Sequence, residues 1–229
     1  MKVAVIPARG GSKRIPQKNL KKFLNRPVIE YSIEAAKKSE IFDRIIVSTD
    51  NEDIAALAKK NGAEVPFMRP ASLADDHATT VAVLEHAVHW LTQNNSTPEF
   101  FCCIYPTAPT MQMQYLKEAF ELLRQKQVGA VIPVTTFDYP ILRALKITSK
   151  GNLEMFWPEH EQSRSNDLPV GYHDAGQFYW LKTAAFLKAK KIFLPDALPI
   201  VIPRNLVQDI DTLEDWERAE QIYRSQMRD

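Results

Sequence analysis

Lys2-Val3-Ala4-Val5-Ile6-Pro7-Ala8-Arg9-Gly10-Gly11-Ser12-Lys13-Arg14-Ile15-Pro16-Gln17-Lys18-Asn19 begins as an apolar run and turns abruptly into a loop of glycines and cations. Val3 to Ile6 is short, continuous and rich in β-branched residues, which predicts a strand covered on both faces. Three later runs are of the same kind: Arg44 to Val47, Phe100 to Tyr105 and Ala130 to Val134. Amphipathic stretches separate them. Pro27 to Ser39 carries Val28, Ile29, Ile33 and Ala36 on one helical face, with Pro27 suited to the first helical position. Asp50 or Asn51 can cap a second helix that stops at Gly62. Further helices are expected from Asp76 to Leu91, Gln112 to Lys126 and Thr212 to Met227. Strands alternating with helices in this way predict βαβ units and an α/β fold with a mainly parallel sheet.

The pattern changes near Pro140. Ala144 to Thr148 and Leu153 to Trp157 flank Ser149-Lys150-Gly151-Asn152, which predicts a β-hairpin insertion. Glu159 to His173 is polar and reads as a surface loop, whereas Phe178 to Leu181 and Pro199 to Ile202 resume as strands. With no repeat or linker in the sequence, residues 1–229 are expected to form one domain, and roughly 138–172 an inserted subdomain. The hairpin carries Leu145, Ile147, Met155 and Phe156, more apolar surface than a protruding ribbon should show to water, so a homodimer contact is expected there.

Composition narrows the function. The chain has 29 Lys plus Arg against 28 Asp plus Glu, a net charge of +1, which argues against nucleic acid or an anionic membrane surface as partner. No run reaches the ~18 apolar residues of a membrane span, and the first residues enter a strand rather than a signal peptide. Cys102 and Cys103 are adjacent within an expected buried strand, where no stabilising disulfide is expected, and a reducing cytoplasm fits.

The first loop sits where α/β folds bind ligands, at the C-terminal end of the sheet. Gly10 and Gly11 allow close backbone approach with amides turned inward, while Arg9, Lys13 and Lys18 bring the charge that phosphate oxygens require. A Gly-Gly turn with solvated cations is the plainer alternative. Five cations, Arg14 and Lys21 included, crowded beside that turn favour a polyphosphate. Neither G-x-x-x-x-G-K-[ST] nor G-x-G-x-x-G is present, against P-loop kinases and dinucleotide oxidoreductases.

The run Ile6 to Asn19 resembles the signature of the acylneuraminate (sialic acid) cytidylyltransferases, the CMP-sugar synthetases. Phe42 to Asp50, Arg69-Pro70, Asp75 to Thr80, Pro106 to Pro109 and Asp209 to Asp215 resemble later blocks of that family in the same order. Cys102 to Pro109 and Tyr172 to Trp180 are similar to the branch that activates pseudaminic acid, a nonulosonic acid. The resemblance implies a three-layer α/β/α, Rossmann-like nucleotidyltransferase fold, a dimer, and Mg²⁺-dependent transfer of CMP from CTP to the anomeric hydroxyl of a sugar acid. By motif position it implies that Ala8, Arg9, Gly10, Gly11, Ser12, Lys13, Lys18 and Asn19 hold the triphosphate, with Arg69 and Thr80 beside the cytosine. Tyr105, Arg164, His173 and Gln177 are implied at the sugar, Arg164 as the grip on its carboxylate. Tyr105 stands where sialic acid enzymes usually carry Gln. His173-Asp174-Ala175-Gly176 replaces their Arg-Pro-Asn-Gly, which argues against sialic acid itself.

Asp209 and Asp211 are two apart in an extended segment, so both carboxylates face one way, a donor set that suits Mg²⁺. Asp211 is equally suited to cap the last helix, with Glu214 completing a capping box, and the two roles are compatible. With Arg9 and Lys18 stabilising phosphate charge, Asp211 is the candidate base. His173 and Asp174, adjacent in an extended strand, face opposite ways and are not expected to form a dyad. His77, His86, His89 and His160 lack a zinc-ligand pattern. Sialic, legionaminic or deoxyoctulosonic acid as acceptor, and a non-catalytic CTP sensor, stay open as alternatives.

Overall fold

The computed structural model describes residues 1–75 and 78–227. The chain forms β1 (Lys2–Pro7), a small ribbon of β2 (Lys22–Phe23) and β3 (Arg26–Pro27), α1 (Val28–Ser39), β4 (Arg44–Ser48) and α2 (Glu52–Lys60). There follow α3 (Thr80–Gln93), β5 (Phe100–Ile104), α4 (Met113–Lys126), β6 (Ala130–Thr136), then β7 (Leu145–Ile147) and β8 (Leu153–Met155). The chain closes with β9 (Tyr172–Asp174), β10 (Phe178–Lys182), α5 (Thr183–Ala189), β11 (Leu198–Val201) and α6 (Leu213–Gln226).

One seven-stranded sheet runs β11-β6-β10-β5-β1-β4, with β9 added on β6. β4, β1, β5, β6 and β11 share one direction, whereas β10 is antiparallel to β5 and β6, and β9 to β6. Alternation in β1 explains the layering. Ala4 and Ile6 enter one core with α1, α2 and α4, while Val3 and Val5 enter the other with Leu84, Val88 and Leu91 of α3 and Phe186 of α5. The result is the expected three-layer α/β arrangement. A third, smaller core joins Ile15, Phe23, Val28 and Tyr31 to Ile210 and Trp216, and thereby fastens α6 to the end of the first loop.

Several expected boundaries shift for identifiable reasons. Pro27 ends β3 and precedes α1 rather than occupying its first turn. Asn51, not Asp50, caps α2, accepting from the Ile54 amide at 2.9 Å. Thr79 caps α3 through the Ala82 amide, so the helix begins at Thr80; the expected start at Asp76, and His77, lie outside the described residues. Tyr172 and His173 belong to β9 rather than to a loop, because an open edge of β6 pairs them.

Trp180 shows how the antiparallel strand is locked. It is fully buried, stacks on Phe42 with centroids 5.1 Å apart, and donates its indole N–H to the Leu116 carbonyl at 3.0 Å. Trp180→Ala should cost about 3–5 kcal/mol, read as a lower urea midpoint with an unchanged slope.

Candidate active site

The first loop is built on the ends of β1 and β4. The Ala8 amide donates to Ser48 at 3.0 Å, and the Ala8 carbonyl accepts from Arg69 Nη2 at 2.9 Å. Asp50 Oδ1 accepts from the Gly10 amide at 3.1 Å and faces the same Arg69 nitrogen at 3.5 Å. Asn51, fixed by its capping bond, lies so close that a Cβ on Gly10 would stand 2.9 Å from its Nδ2. Gly10 is therefore required by the helix cap beside it. Asn19, 4% exposed, closes the loop by donating to the Arg9 carbonyl at 2.9 Å.

These bonds revise the sequence reading of the glycines. The Gly10 amide is engaged by Asp50. Ala8 and Gly10 instead shape the loop and hold Arg69. A cavity of about 370 Å³ does collect Arg9, Ser12, Lys13, Lys18 and Asn19 on one side. Arg69, Thr80 and Tyr105 line it elsewhere, with Pro106 and Thr107 following β5. Burial lowers the Arg69 pKa, and the Asp50 carboxylate opposes that shift.

A larger groove of about 1520 Å³ lies on the other side, lined in part by His173, Asp174, Arg204, Asp209 and Asp211. Between the two aspartates Ile210 is fully buried, so chain alternation turns both carboxylates toward the groove. Asp209 keeps contact with solvent, yet its carboxyl pKa is raised, first by the surrounding protein mass and second by Asp211. Two carboxylates crowded in this way suit a shared cation.

Asp211 of the groove touches two cations of the cavity lining. Its Oδ1 lies 2.8 Å from Arg14 Nη2 and 3.6 Å from Lys18 Nζ, and Lys18 also donates to the Ile210 carbonyl at 2.6 Å. Part of the loop's charge is thus answered by the chain's own C-terminal segment. The expected capping role of Asp211 is replaced: Thr212 caps α6 and Asp215, not Glu214, completes the capping box. A one-residue shift frees the Asp211 side chain for the junction.

The four residues expected at the sugar are dispersed. His173 lines the groove, its Nδ1 2.9 Å from the Asp174 carbonyl and its ring beside Phe137. The Asp174 carboxylate accepts instead from Tyr179 and from the Gly176 amide, so the two neighbours form no side-chain dyad. Tyr105 belongs to the smaller cavity, and burial raises its pKa. Gln177, 2% exposed, donates to the Leu206 carbonyl at 3.0 Å, and its side-chain oxygen is buried without a partner among the described residues. Arg164 projects from the insertion with 79% of its side chain exposed and only a 3.8 Å pairing to Asp167. Arg14 and Asp50 were missed as site residues, since nothing local in the sequence pairs them with partners 19 to 197 positions away, and Tyr179 was missed although Asp174 lies only five positions from it.

Comparison with known proteins follows this geometry. The family described as cytidylyltransferase matches residues 3–228. A pseudaminic acid cytidylyltransferase of Campylobacter jejuni is 45% identical over 222 residues, which cover 97% of this chain and 96% of that protein. An N-acylneuraminate cytidylyltransferase of Escherichia coli is 30% identical over 95% of this chain and 51% of its own length. Among solved structures, a CMP:2-keto-3-deoxy-manno-octonic acid synthetase complexed with CTP superposes with a TM-score of 0.72 at 13% identity, covering 98% and 99% of the two chains, a likeness of fold.

Proposed function

The chain belongs to the cytidylyltransferase family, and from that premise we propose that it transfers CMP from CTP to the anomeric hydroxyl of pseudaminic acid, releasing pyrophosphate. The observation that carries the reading is the contact at Asp211, where Arg14 and Lys18 of a cation-lined cavity of nucleotide size pair with a carboxylate of the larger groove. The acceptor choice is supported by the 45% identity to the Campylobacter enzyme and by His173-Asp174-Ala175-Gly176 in the groove.

The triphosphate lies in the smaller cavity with its oxygens against Arg9, Lys13 and Lys18. The sugar acid enters from the groove. Its anomeric oxygen attacks the α-phosphorus, the bond to the pyrophosphate oxygen breaks, and the hydroxyl proton passes to Asp211. Arg9 and Lys18 stabilise the negative charge that grows on the phosphates, and their fixed positions cost no reorganisation during the step. Because Lys18 is already bonded to the Ile210 carbonyl, its charge stays aimed at the junction.

Asp209 and Asp211 are the donor set for Mg²⁺. Two crowded hard-oxygen ligands fit an ion that takes one or two protein carboxylates and completes its shell with phosphate and water. When bound, the ion supplies further neutralisation of phosphate charge. The free thiols Cys102 and Cys103 and the CTP substrate agree with a cytoplasmic enzyme.

The hairpin supports a homodimer. Leu145, Ile147, Leu153 and Phe156 are all more than half exposed within one chain. The exposed Arg164 of the insertion is then assigned to the groove of the second copy. Light scattering at micromolar concentration should give about twice 26.2 kDa, and a monomer alone would remove this part of the reading.

Pyrophosphate release tests the reaction and both specificities. With Mg²⁺, turnover is expected from CTP plus pseudaminic acid and not from ATP, GTP or UTP, nor with N-acetylneuraminic acid as acceptor. Asp211→Asn should lower turnover by about a hundredfold or more, the range over which one general base contributes. Release with N-acetylneuraminic acid instead would keep the chemistry and overturn the acceptor. Near wild-type turnover of the variant would remove Asp211 from both roles.

A further inference from the structure

The segment that carries Asp209 and Asp211 is held from two sides. On one, Lys18 donates to the Ile210 carbonyl, and Ile210 is packed in the third core. On the other stands Asp174-Ala175-Gly176-Gln177, the stretch that joins β9 to β10. Both strands pair antiparallel with β6, but a step of three positions along β6, from Val134 to Val131, is matched by a step of six, from Asp174 to Trp180. The chain between them therefore bulges out of the ladder, a device that redirects a strand beside a site. The base of the bulge is fixed, since Ala175 is fully buried and its amide donates to the Pro133 carbonyl at 3.0 Å. Asp174 closes the turn: its Oδ1 accepts from the Gly176 amide at 2.9 Å and its Oδ2 from the Tyr179 hydroxyl.

The bulge meets the aspartate segment at two points. Gly176, with φ of +63°, lies against the Asp209 side chain: a Cβ built there would stand 3.3 Å from Asp209 Cγ, 3.4 Å from its Cβ and 3.6 Å from its Oδ1. The nearest of these is tighter than ordinary carbon contact, so a side chain at 176 would displace the carboxylate by a few tenths of an ångström. Glycine is thus required twice, by its own backbone and by the carboxylate beside it. The second point is Gln177, whose Nε2 donates to the Leu206 carbonyl at 3.0 Å, three residues ahead of Asp209.

We propose that Gly176 and Gln177 are positioning residues that hold the Asp209 carboxylate for a small octahedral cation, so that the bulge sets the preference of the aspartate pair for Mg²⁺ over larger divalent ions. The proposal rests on the reading of Asp209 and Asp211 as the Mg²⁺ donors and deepens it. Mg²⁺ takes its ligands at ~2.0–2.1 Å in a nearly ideal octahedron, whereas Ca²⁺ takes about six to eight at ~2.3–2.6 Å in flexible geometry. A carboxylate displaced by a few tenths of an ångström therefore costs the smaller ion more than the larger. The stretch that presents His173 and Asp174 to the groove is also the stretch that orders the ion.

Metal binding to the full chain without nucleotide or sugar acid tests this apart from catalysis. Mn²⁺ is the probe, bound ion being read as loss of the free Mn²⁺ electron paramagnetic resonance signal, and Mg²⁺ and Ca²⁺ are compared by competition. Gly176→Ala should weaken Mg²⁺ about tenfold, the low end of what loss of an orienting partner costs a metal site, and Ca²⁺ by clearly less. Gln177→Leu, which keeps the bulk and loses the bond to Leu206, should narrow the Mg²⁺:Ca²⁺ preference in the same direction by a smaller factor, and it stands if Gly176→Ala does not fold. Gly151→Ala is the control: its φ is +83° with no atom within 4 Å, so it carries the same backbone strain with no carboxylate in reach, and both affinities should stay at the wild-type values. An unchanged Mg²⁺:Ca²⁺ ratio in Gly176→Ala and Gln177→Leu, whether both ions bind as before or both weaken equally, would overturn the proposal alone. Wild-type Mn²⁺ binding by Asp209→Asn would overturn the reading of the donor pair together with it.

Discussion

Lys18 reaches across 192 positions of sequence to donate to the Ile210 carbonyl, and the arrangement of the two cavities depends on that bond. A loop carrying Arg9, Lys13, Arg14, Lys18 and Lys21 has reason to spread, because like charges at short range repel. The carbonyl and the Asp211 carboxylate oppose that spreading where the lining of the cavity touches that of the groove. The anchor is firm for reasons of packing. Ile210 is fully buried with Phe23, Val28 and Trp216, so its carbonyl is held by a core and not by a free tail.

The N-terminal side is fixed with equal economy. Asn51 caps α2, its position forces glycine at residue 10, and Asp50 takes both the Gly10 amide and the Arg69 guanidinium. A helix cap, a glycine and an ion pair thus form one unit that orients the loop. On the C-terminal side the register of the capping box matters in the same way. With Thr212 and Asp215 closing α6, Asp211 is free to face Arg14 and Lys18. Had the helix started one residue earlier, the junction would have lost its anion to a cap.

Short-range pattern made much of this legible. The continuous apolar runs became β1, β4, β5 and β6 because strands covered on both faces need apolar residues throughout. The hairpin at Leu145–Ile147 and Leu153–Met155 followed from turn chemistry around Gly151, which has φ of +83°. What could not be read were choices made by tertiary contact. β9 formed where a polar loop was expected because β6 had an edge to pair. The site divides the same way. Cations grouped within Arg9 to Asn19 were visible as a group, whereas the Arg14 pairing with Asp211 joins opposite ends of the chain and depends on how the fold brings them together. Gln177, just before β10, is buried and bonded to the Leu206 carbonyl, a partner its motif does not announce.

The claim that Lys18 and Asp211 work as one junction between two substrates is tested most directly by a double-mutant cycle on kcat/KM, with Lys18→Ala, Asp211→Ala and the pair. Residues acting as a unit give losses that do not add in free energy, so the double variant should be little worse than the more damaged single variant. Losses that multiply, with each substitution costing the same in either background, would mean that the two groups act independently and would contradict the account.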